Sequence, residues 1–424
     1  MPKKRSKENK AQVDQSDLLE LASVISLQSD GSETPAASSV EVEDEMALQS
    51  VLSKVCSAID SMEEKRTETR VQATRSLIDS FRSHYFCLDG SWNYTETLIT
   101  SIENIFRKGK PQDQVLAADL LTVFSLQIDP HEVPIWFERF FPLLEPIIRD
   151  TTKGRKLRAS SAITLSVLQS LSDYCDFVSP LDVMKSFEFV FKSSTAKIDV
   201  KIPFSETDLS DLYVAALKAW TLMYTFLSPY DAGIVGKAVI PALLSLLQCS
   251  NVDVRIMAGE ASAVIYERIR NEIDDKFKGP YYSDLVRLLS ELATDSSKNR
   301  SKSDLKKQRH SFRELLEAVT HSDYPETTVD FGTEVLTLTS CAAHFHYDFL
   351  CTVLGSGLRR HLRENPQVRD LFDLGLPLLT QQTGANRRVL KEQKKMTNML
   401  ASKTRTQKLN VHRDKRREML NELE

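Results

Sequence analysis

The stretch that decides the fold runs from Val239 to Arg270 and reads VIPALLSLLQCSNVDVRIMAGEASAVIYERIR. Its first part carries large apolar residues at three- and four-residue spacing, which predicts a helix with one buried face. Pro241 suits the first turn of that helix. A polar turn follows at Ser250–Asp253, and a second helix rich in small residues is expected from Val254. Two helices joined by a short turn form the unit of HEAT and armadillo arrays.

The same unit recurs along the chain, marked by a long residue three positions before an alanine. The marked pairs are Arg70 and Ala73, Gln114 and Ala117, Lys156 and Ala159, Leu212 and Ala215, and Arg255 and Ala258. Their alanines lie 44, 42, 56 and 43 residues apart, and three of these intervals match the period of roughly 40–47 residues of such arrays. The long interval holds a polar insertion at Ser193–Asp208, and a sixth unit is expected over Tyr281–Val319, interrupted by a charged loop at Asp295–Asp304.

These observations predict an all-α protein: a HEAT/armadillo-like α-solenoid with a small helical C-terminal module and a basic helical tail. An irregular helical bundle is the alternative. The stacked pairs of a solenoid form a long curved surface, which suits macromolecular partners.

Composition excludes several classes of protein. A chain of 424 residues exceeds one compact core, and only 13 glycines argue against a turn-rich sandwich or barrel. No segment approaches the ~20 apolar residues that cross a bilayer, so no membrane partner is expected and a cytoplasmic and nuclear location is predicted. The cysteines form no Cys-x-x-Cys pair and are interpreted as free thiols. They are Cys56, Cys87, Cys175, Cys249, Cys341 and Cys351.

The net charge of −4 conceals an asymmetry. Residues 385–424 hold twelve Lys/Arg and five Asp/Glu, a net +7, which leaves −11 on residues 1–384. Basic tails of this kind seek polyanions. Four regions are predicted: a disordered basic and serine-rich arm over 1–44, a helical repeat domain over 45–322, a helical module over 323–384 and the basic tail over 385–424.

Beyond Asp323 the sequence changes in character. A helix is predicted over Thr333–Leu354, ended by the turn Gly355-Ser356-Gly357. Asn365 is a suitable N-cap for the next helix, which Pro366 would begin and Gly375 would end.

The module and the tail together carry a recognisable set of residues. It comprises Val353, Leu354, Gly355, Ser356, Gly357, His361, Leu362, Asn365, Arg369, Phe372, Leu374 and Gly375, followed by Lys403–Thr406 and Arg413–Arg416. This set closely resembles the C-terminal signature of the interferon-related developmental regulator family. The resemblance implies a ribosome-associated translational regulator, in which a basic C-terminal helix occupies the rRNA-lined mRNA and tRNA path of non-translating ribosomes. It also implies an alternative, a nuclear transcriptional co-regulator that acts as a scaffold for transcription or chromatin proteins.

The tail is predicted to bind RNA through its basic side chains. They are Arg387, Arg388, Lys391, Lys394, Lys395, Lys403, Arg405, Lys408, Arg413, Lys415, Arg416 and Arg417. A helix that is polar almost all round is unstable alone in water but can order against phosphates, where counterion release supplies the driving force. Lacking an aromatic side chain for base stacking, the tail is expected to follow backbone and shape. A docking or coiled-coil helix and a membrane-surface helix are the alternatives.

A second basic patch falls at a turn between two repeat helices. It comprises Arg149, Lys153, Arg155, Lys156 and Arg158. The patch is either a second rRNA-facing surface or a solvated turn.

Neither catalysis nor a cofactor is expected. Cys341, His344, His346 and Cys351 have a spacing that matches no common zinc site, and on one helix His344 and His346 would point about 200° apart. Gly355-Ser356-Gly357 lacks the Lys-Ser/Thr ending of a phosphate loop and the strand that precedes a nucleophile elbow. No metal or small-molecule substrate is therefore predicted. The remaining aromatic cluster is interpreted as core: Trp136, Phe137, Phe140 and Phe141.

The nuclear alternative depends on one short cluster, which comprises Lys3, Lys4, Arg5, Lys7 and Lys10. If this cluster is an import signal, changing all five residues to alanine should lower nuclear accumulation, because import signals are read through their positive charge. Fluorescence imaging of the tagged full chain measures this. An unchanged nuclear level would remove the support for a nuclear role.

Overall fold

A computed structural model describes residues 37–88, 92–172, 177–195, 207–295, 302–332 and 334–377. The chain forms two compact units, residues 1–51 and 52–424. Of the first unit, the described part is the beginning of one long helix, which starts at Ala37. The expectation of a disordered arm through residue 44 is therefore wrong for its last residues, where Ala37, Glu41 and Glu43 favour a helix. The rest of the arm, Cys175 and the tail lie outside the described residues.

Twelve helices of the described chain form six consecutive pairs. The first helices of the pairs are Ala37–Met62 (α1), Thr95–Lys108 (α3), Val133–Arg149 (α5), Pro180–Thr195 (α7), Pro229–Leu247 (α9) and Tyr282–Thr294 (α11). The second helices are Thr67–Ser83 (α2), Pro111–Ser125 (α4), Arg155–Ser170 (α6), Thr207–Thr225 (α8), Val252–Glu272 (α10) and Lys302–His321 (α12). The all-α prediction is confirmed, and the predicted sixth unit is present as α11 and α12. Of the aromatic cluster that the sequence predicts to be core, Trp136, Phe137 and Phe140 are buried and Phe141 packs against the core.

The second helices stack in chain order, so that α2, α4, α6, α8 and α10 form one continuous row and α12 extends it. The first helices from α3 to α11 form the other layer. Helices packed side by side lie 8–10 Å apart, so the row from α2 to α10 would span ~36 Å if it were flat. Small side chains permit the close approach within the row, and Ala117 and Ala258 are fully buried.

In five of the six pairs, one polar side chain near the start of the second helix bonds to the last turn of the first helix or to the turn that follows it. The last carbonyls of a helix have no partner inside that helix and need a donor from elsewhere. In each case a side chain donates to backbone carbonyls. The bonds run from Arg70 to the carbonyls of Glu64 and Lys65 (2.9 and 2.8 Å), from Gln114 to that of Phe106 (2.7 Å), from Arg158 to that of Ile148 (2.9 Å), from Arg255 to those of Cys249 and Ser250 (both 2.7 Å), and from Gln308 to that of Leu292 (3.1 Å). At Arg70, Gln114 and Arg255, the long residue of the repeat pattern thus connects the two helices of its pair.

The structure corrects the predicted repeat in two units. In α6 the donor is Arg158, three residues before the buried Ser161, so the assignment of Lys156 and Ala159 is two residues early. In α8 the fully buried alanine is Ala216 rather than Ala215. Sequence spacing alone missed the shift because small residues occur at several neighbouring positions of both helices.

The quoted central unit also begins earlier than predicted. Helix α9 starts at Pro229, where Ser228 Oγ accepts a hydrogen bond from the backbone N–H of Asp231 at 3.1 Å, and Pro241 lies inside the helix. The next helix begins at Val252, capped by the Asn251 side chain, and not at Val254. A capping Ser with Pro directly after it is a stronger start signal than an interior Pro.

Helix α9 is long and apolar enough to cross a membrane by length and composition, which the sequence scan did not anticipate. More than half of its apolar window (56%) is buried inside the protein. Its apolar side chains pack against α10 as the core of the fifth pair.

The predicted helix over Thr333–Leu354 is wrong in its first part. Residues Thr327–Asp330 (β1) and Val335–Leu338 (β2) form an antiparallel hairpin, with Thr327 paired to Leu338. Buried and exposed residues alternate along β2, which is the period of a strand and not of a helix. The helix that follows is Cys341–Leu354 (α13), and two short helices, Leu358–Glu364 (α14) and Pro366–Asp370 (α15), complete the described chain.

The turn bonds can be tested at Arg255, whose side chain is 1% exposed. Replacing it with Met keeps the length but leaves two carbonyls and the Gln308 side chain without their donor, so the free energy of unfolding should fall by about 3 kcal/mol. Denaturant unfolding measures the loss. The exposed Arg75, changed to Met, is the matched control and should change stability by less than ~0.5 kcal/mol. Equal stability of the two variants would contradict this role.

Candidate functional site: the docked C-terminal module

The C-terminal module, residues 323–377 as described, packs on the row of second helices. Helix α13 contacts α2, α4, α8 and α10. A helix of 14 residues is ~21 Å long, so it reaches both α2 and α10 only because the row curves around it. The chain's own module thus occupies the inner face of the solenoid, which is part of the long curved surface that was predicted to suit macromolecular partners.

Two charged side chains of the solenoid hold the ends of α13. The carboxylate of Glu267 accepts hydrogen bonds from the backbone N–H groups of Cys341 (2.7 Å) and Ala342 (2.9 Å). At the other end, Arg82 Nε donates to the carbonyl of Val353 at 2.9 Å. A negative group at the first turn and a positive group at the last turn both match the helix dipole. The solenoid therefore fixes the position and the direction of α13.

The turn after α13 lies directly against the end of α2. A Cβ built on Gly357 would lie 1.7 Å from the carbonyl oxygen of Arg82, which no side chain can accommodate. Gly355 in the same turn has a φ of +56°, a conformation that favours glycine. Both glycines of the predicted turn thus have a structural reason.

His361 and Asn365 bond the module to the ends of α2 and α4. His361 Nε2 lies 3.2 Å from the carbonyl oxygens of Phe81 and of Arg82, so this nitrogen carries the proton. Asn365 Nδ2 donates to the carbonyl of Leu126 (2.7 Å) and lies 3.1 Å from His361 Nδ1, which accepts. Both side chains are fully buried. Burial lowers the pKa of His361 to about 4, so the imidazole is neutral near pH 7.

Arg369 organises the last turn of the described chain. Its fully buried guanidinium forms a two-pronged ion pair with Glu334, at 2.7 and 2.9 Å. It also donates to the carbonyls of Leu362, Leu374 and Gly375, at 2.8, 2.9 and 2.7 Å. Hydrogen bonds from Arg369 lower the pKa of the Glu334 carboxyl. One side chain thus connects the hairpin, α14 and the residues that lead toward the tail.

The residues that carry the family resemblance are mostly docking residues. Asn365 caps α15 as predicted, with its side chain accepting from Gln367 N–H at 3.0 Å. The helix ends at Asp370 rather than near Gly375, which takes a φ of +67° beyond it. Sequence reasoning missed Arg82 and Glu267 because their partners are more than 70 residues away. The spacing of four between His361, Asn365 and Arg369 was the available signal that these side chains share one buried face.

His344 and His346, whose spacing matches no common zinc site, lie on different sides of α13. His344 Nε2 lies 3.2 Å from Thr327 Oγ1, whereas His346 Nε2 lies 2.8 Å from Thr225 Oγ1. Burial lowers the pKa of His346 to about 4. Within the described ranges, no group of three His, Cys, Asp or Glu side chains is arranged to hold a metal ion.

The second basic patch is smaller than its sequence suggests. Arg158 is 7% exposed and holds the turn of its pair, and burial lowers its pKa. Arg149 pairs with Glu145 and donates to Ser186 Oγ at 3.2 Å. Lys153 and Lys156 remain exposed and Arg155 is half-buried. The twelve tail residues predicted to bind RNA lie outside the described residues, so their role stays a prediction.

The fold and the docked module define a class: helical repeat proteins whose C-terminal module fills the inner face of the array. The chain belongs to the interferon-related developmental regulator family. The model described as "Interferon-related developmental regulator (IFRD)" matches residues 21–320, and the one described as "Interferon-related protein conserved region" matches residues 365–417. The second matched region includes both the buried docking residues Asn365 and Arg369 and most of the basic tail.

The sequences of curated relatives align with most of the chain. Mouse interferon-related developmental regulator 2 is 33% identical over 392 residues, which cover 90% of this chain and 86% of that protein. Human interferon-related developmental regulator 1 is 31% identical over 388 residues, 89% of this chain and 83% of that protein. Among solved structures, an engineered protein aligns with a TM-score of 0.40 at 14% identity, covering 64% of this chain and 98% of that one. At that score the likeness adds nothing to the fold described above.

The neutral His361 makes docking sensitive to pH. The pKa of His361 is about 4 in the folded protein against about 6.5 in an unfolded chain. The free energy of unfolding therefore keeps the full contribution of this shift above pH 6.5 and loses it as the pH falls from 6.5 to 4. At pH 5 the loss is about 2 kcal/mol. Replacing His361 with Gln keeps a donor but removes this titration.

Denaturant unfolding at pH 7.5 and pH 5 measures the effect as a difference between the wild type and the His361→Gln variant. The comparison is needed because burial raises the pKa of Glu260 to about 7, which strengthens folding as the pH falls and opposes the histidine. Between pH 7.5 and pH 5, we expect the free energy of unfolding of the wild type to fall by about 2 kcal/mol more than that of the variant. Identical losses would show that the imidazole does not titrate as described.

Proposed function

We propose that the protein binds non-translating ribosomes through its basic tail, residues 385–424, which lies along the rRNA-lined path of mRNA and tRNA and regulates translation by occupying it. The observation that carries the proposal is the separation of charge. The tail holds a net +7 and the rest of the chain −11. Phosphate attracts the tail and repels the body, so only the tail is suited to enter an RNA channel.

The docked module supports the proposal because it holds the last described residues of the chain. Arg369 bonds to the carbonyls of Leu374 and Gly375, a few residues before the described chain stops at Pro377. We expect a docked module close to the tail in sequence to limit the space that the tail must search, which would lower the entropic cost of binding. The matched family region spans the anchors and most of the tail together, which supports a joint role.

The composition of the tail supports RNA as the partner. Residues 385–424 contain no Phe, Tyr or Trp, and the segment after Ala401 has few large apolar side chains. Such a segment lacks the aromatic anchors on which tight protein interfaces depend. Lys and Arg side chains instead follow the phosphate backbone without reading base sequence. The expected interaction therefore depends on shape and on charge.

Deleting residues 385–424 should abolish ribosome association, because the deletion removes the +7 charge and leaves the acidic body. Co-sedimentation of the purified full chain and of the deletion variant with vacant ribosomes measures this. Binding of the full chain should also weaken steeply with salt, with a log–log slope of about −0.7 to −0.9 for each phosphate contact.

A matched variant keeps the length of the tail and removes four of its positive charges. In this variant the four residues Arg413, Lys415, Arg416 and Arg417 become Gln, and the slope should become shallower by roughly 3. Undiminished co-sedimentation of the deletion variant would sink the proposal.

A further inference from the structure

A groove lies between the docked module and the carboxyl ends of three second helices. Its walls are the ends of α4, α6 and α8 on one side and α13 and α15 on the other, and its volume is about 220 Å³. The lining is mostly apolar and includes Leu126, Val167, Leu171, Phe226, Phe349 and Leu371. Among the described residues that line it, Asp370 alone carries a charge. We call this site the module groove.

The module groove is open to solvent at Phe226. This residue is 49% exposed, although its ring stacks on that of His346 at a centroid distance of 5.9 Å. Covering a large aromatic side chain is favourable because it removes apolar surface from water. An exposed apolar surface with polar residues around it is typical of a binding site.

The size of the groove favours a peptide side chain over a small molecule. Pockets for small ligands and cofactors usually have a volume of about 300–1,000 Å³ and enclose most of the ligand. The module groove is smaller, at about 220 Å³, and is open on one side. It therefore suits one large side chain of a segment whose backbone stays outside.

The rim of the groove is acidic. Asp129 and Glu132 follow α4, and Asp370 and Asp373 lie at the end of α15 and in the turn after it. Each belongs to the lining or lies within two residues of it, and the three aspartates are exposed. The neighbouring Arg369 is fully buried, and its charge is paired inside the protein. The rim thus presents carboxylates to solvent.

Two helix ends add to this negative charge. The carboxyl end of a helix carries a partial negative charge that favours a cation nearby, and the ends of α4 and α6 border the groove. At the end of α8, Arg268 donates to the carbonyls of Tyr224 and Leu227 and offsets the charge there. The groove therefore combines an apolar lining with a rim that attracts cations.

We propose that the module groove binds a segment of a partner protein in which an aromatic side chain stands beside Lys or Arg residues. The aromatic side chain enters the groove and packs against Phe226 and Phe349. The basic side chains pair with Asp370 and the other carboxylates of the rim. This interaction goes beyond the proposed function and does not depend on RNA binding by the tail.

A partner protein fits the groove better than the chain itself does. The tail is basic, but residues 385–424 contain no Phe, Tyr or Trp and supply no aromatic anchor. A second copy would bring its own acidic body, which holds a net −11 over residues 1–384, against the acidic rim. Trp, Tyr and Arg are the side chains that contribute most to protein interfaces, and they match the apolar lining and the acidic rim.

The test starts from an unbiased choice of peptide. Random short peptides displayed on phage are selected for binding to the immobilised full chain. We expect the enriched sequences to share an aromatic residue with Lys or Arg beside it. The most enriched peptide, labelled with fluorescein, is then the probe in fluorescence anisotropy with the full chain and with its variants.

Two pairs of full-length variants locate the binding. Ser170→Phe fills the groove, whereas its control, Ser76→Phe, adds the same side chain at an exposed position of α2. Asp370→Asn removes the charge of the lining, whereas its control, Asp211→Asn, removes an exposed charge near the start of α8, at the opposite end of that helix from the groove.

Probe binding should weaken by at least roughly tenfold for Ser170→Phe and by roughly threefold for Asp370→Asn. Both controls should bind as the full chain does. Thermal unfolding verifies that the variants fold. Asp370→Asn changes only an exposed side chain, so the aspartate pair decides the test if Ser170→Phe does not fold.

A photo-cross-link identifies the occupant of the groove. Phe226→p-benzoylphenylalanine places a photoreactive group in the lining, and illumination with the probe present should attach the probe at this position. A cross-link to residues 378–424 of the same chain, or to a second copy, in place of the probe would overturn the assignment to a partner protein.

The proposal also fails if no selected peptide distinguishes the groove variants from their controls, or if the enriched peptides lack aromatic or basic residues. None of these measurements involves the ribosome. Failure of this inference therefore leaves the proposed function of the tail standing, and failure of the tail mechanism leaves this inference standing.

Discussion

The structure depends on one helix held at both ends. Helix α13 receives a carboxylate from Glu267 at its first turn and a guanidinium from Arg82 at its last turn, and both side chains belong to the solenoid. These contacts satisfy backbone groups that a helix cannot satisfy by itself and match its dipole. Because Arg82 and Glu267 stand on the second and tenth helices of the array, α13 bridges most of the row, and the curvature of the row and the position of the module are coupled.

The same physical device recurs within the array. In five of the six pairs an Arg or Gln near the start of the second helix donates to carbonyls at the end of the first. A buried carbonyl without a donor is costly, so each bond fixes the angle between the two helices of its pair. The module uses the same chemistry when His361 and Asn365 reach the final carbonyls of α2 and α4. Free helix ends are thus the main polar attachment points of the molecule.

One set of charges stabilises the structure, and a different set is proposed to bind RNA. The buried charges and polar groups, such as Arg369, Glu334 and His361, are paired inside the protein and place the chain terminus. The positive charge of the tail, residues 385–424, is proposed to bind a polyanion. The net charge of −11 on residues 1–384 repels phosphate and limits non-specific contact of the body with nucleic acid.

The sequence by itself determined the helical class, the paired repeat with its period, the turn at Gly355–Gly357 and the separation of charge, because these depend on local periodicity, turn chemistry and composition. The sequence pattern predicted the wrong repeat register in α6 and the wrong start for α9, and it predicted a helix where the structure has the alternating strand β2. Only the tertiary structure decided that the module fills the inner face and that Arg158 is a turn donor and not a surface charge. Those facts depend on contacts between residues far apart in the chain, such as Arg82 with Val353 and His361 with Phe81, which local spacing does not encode.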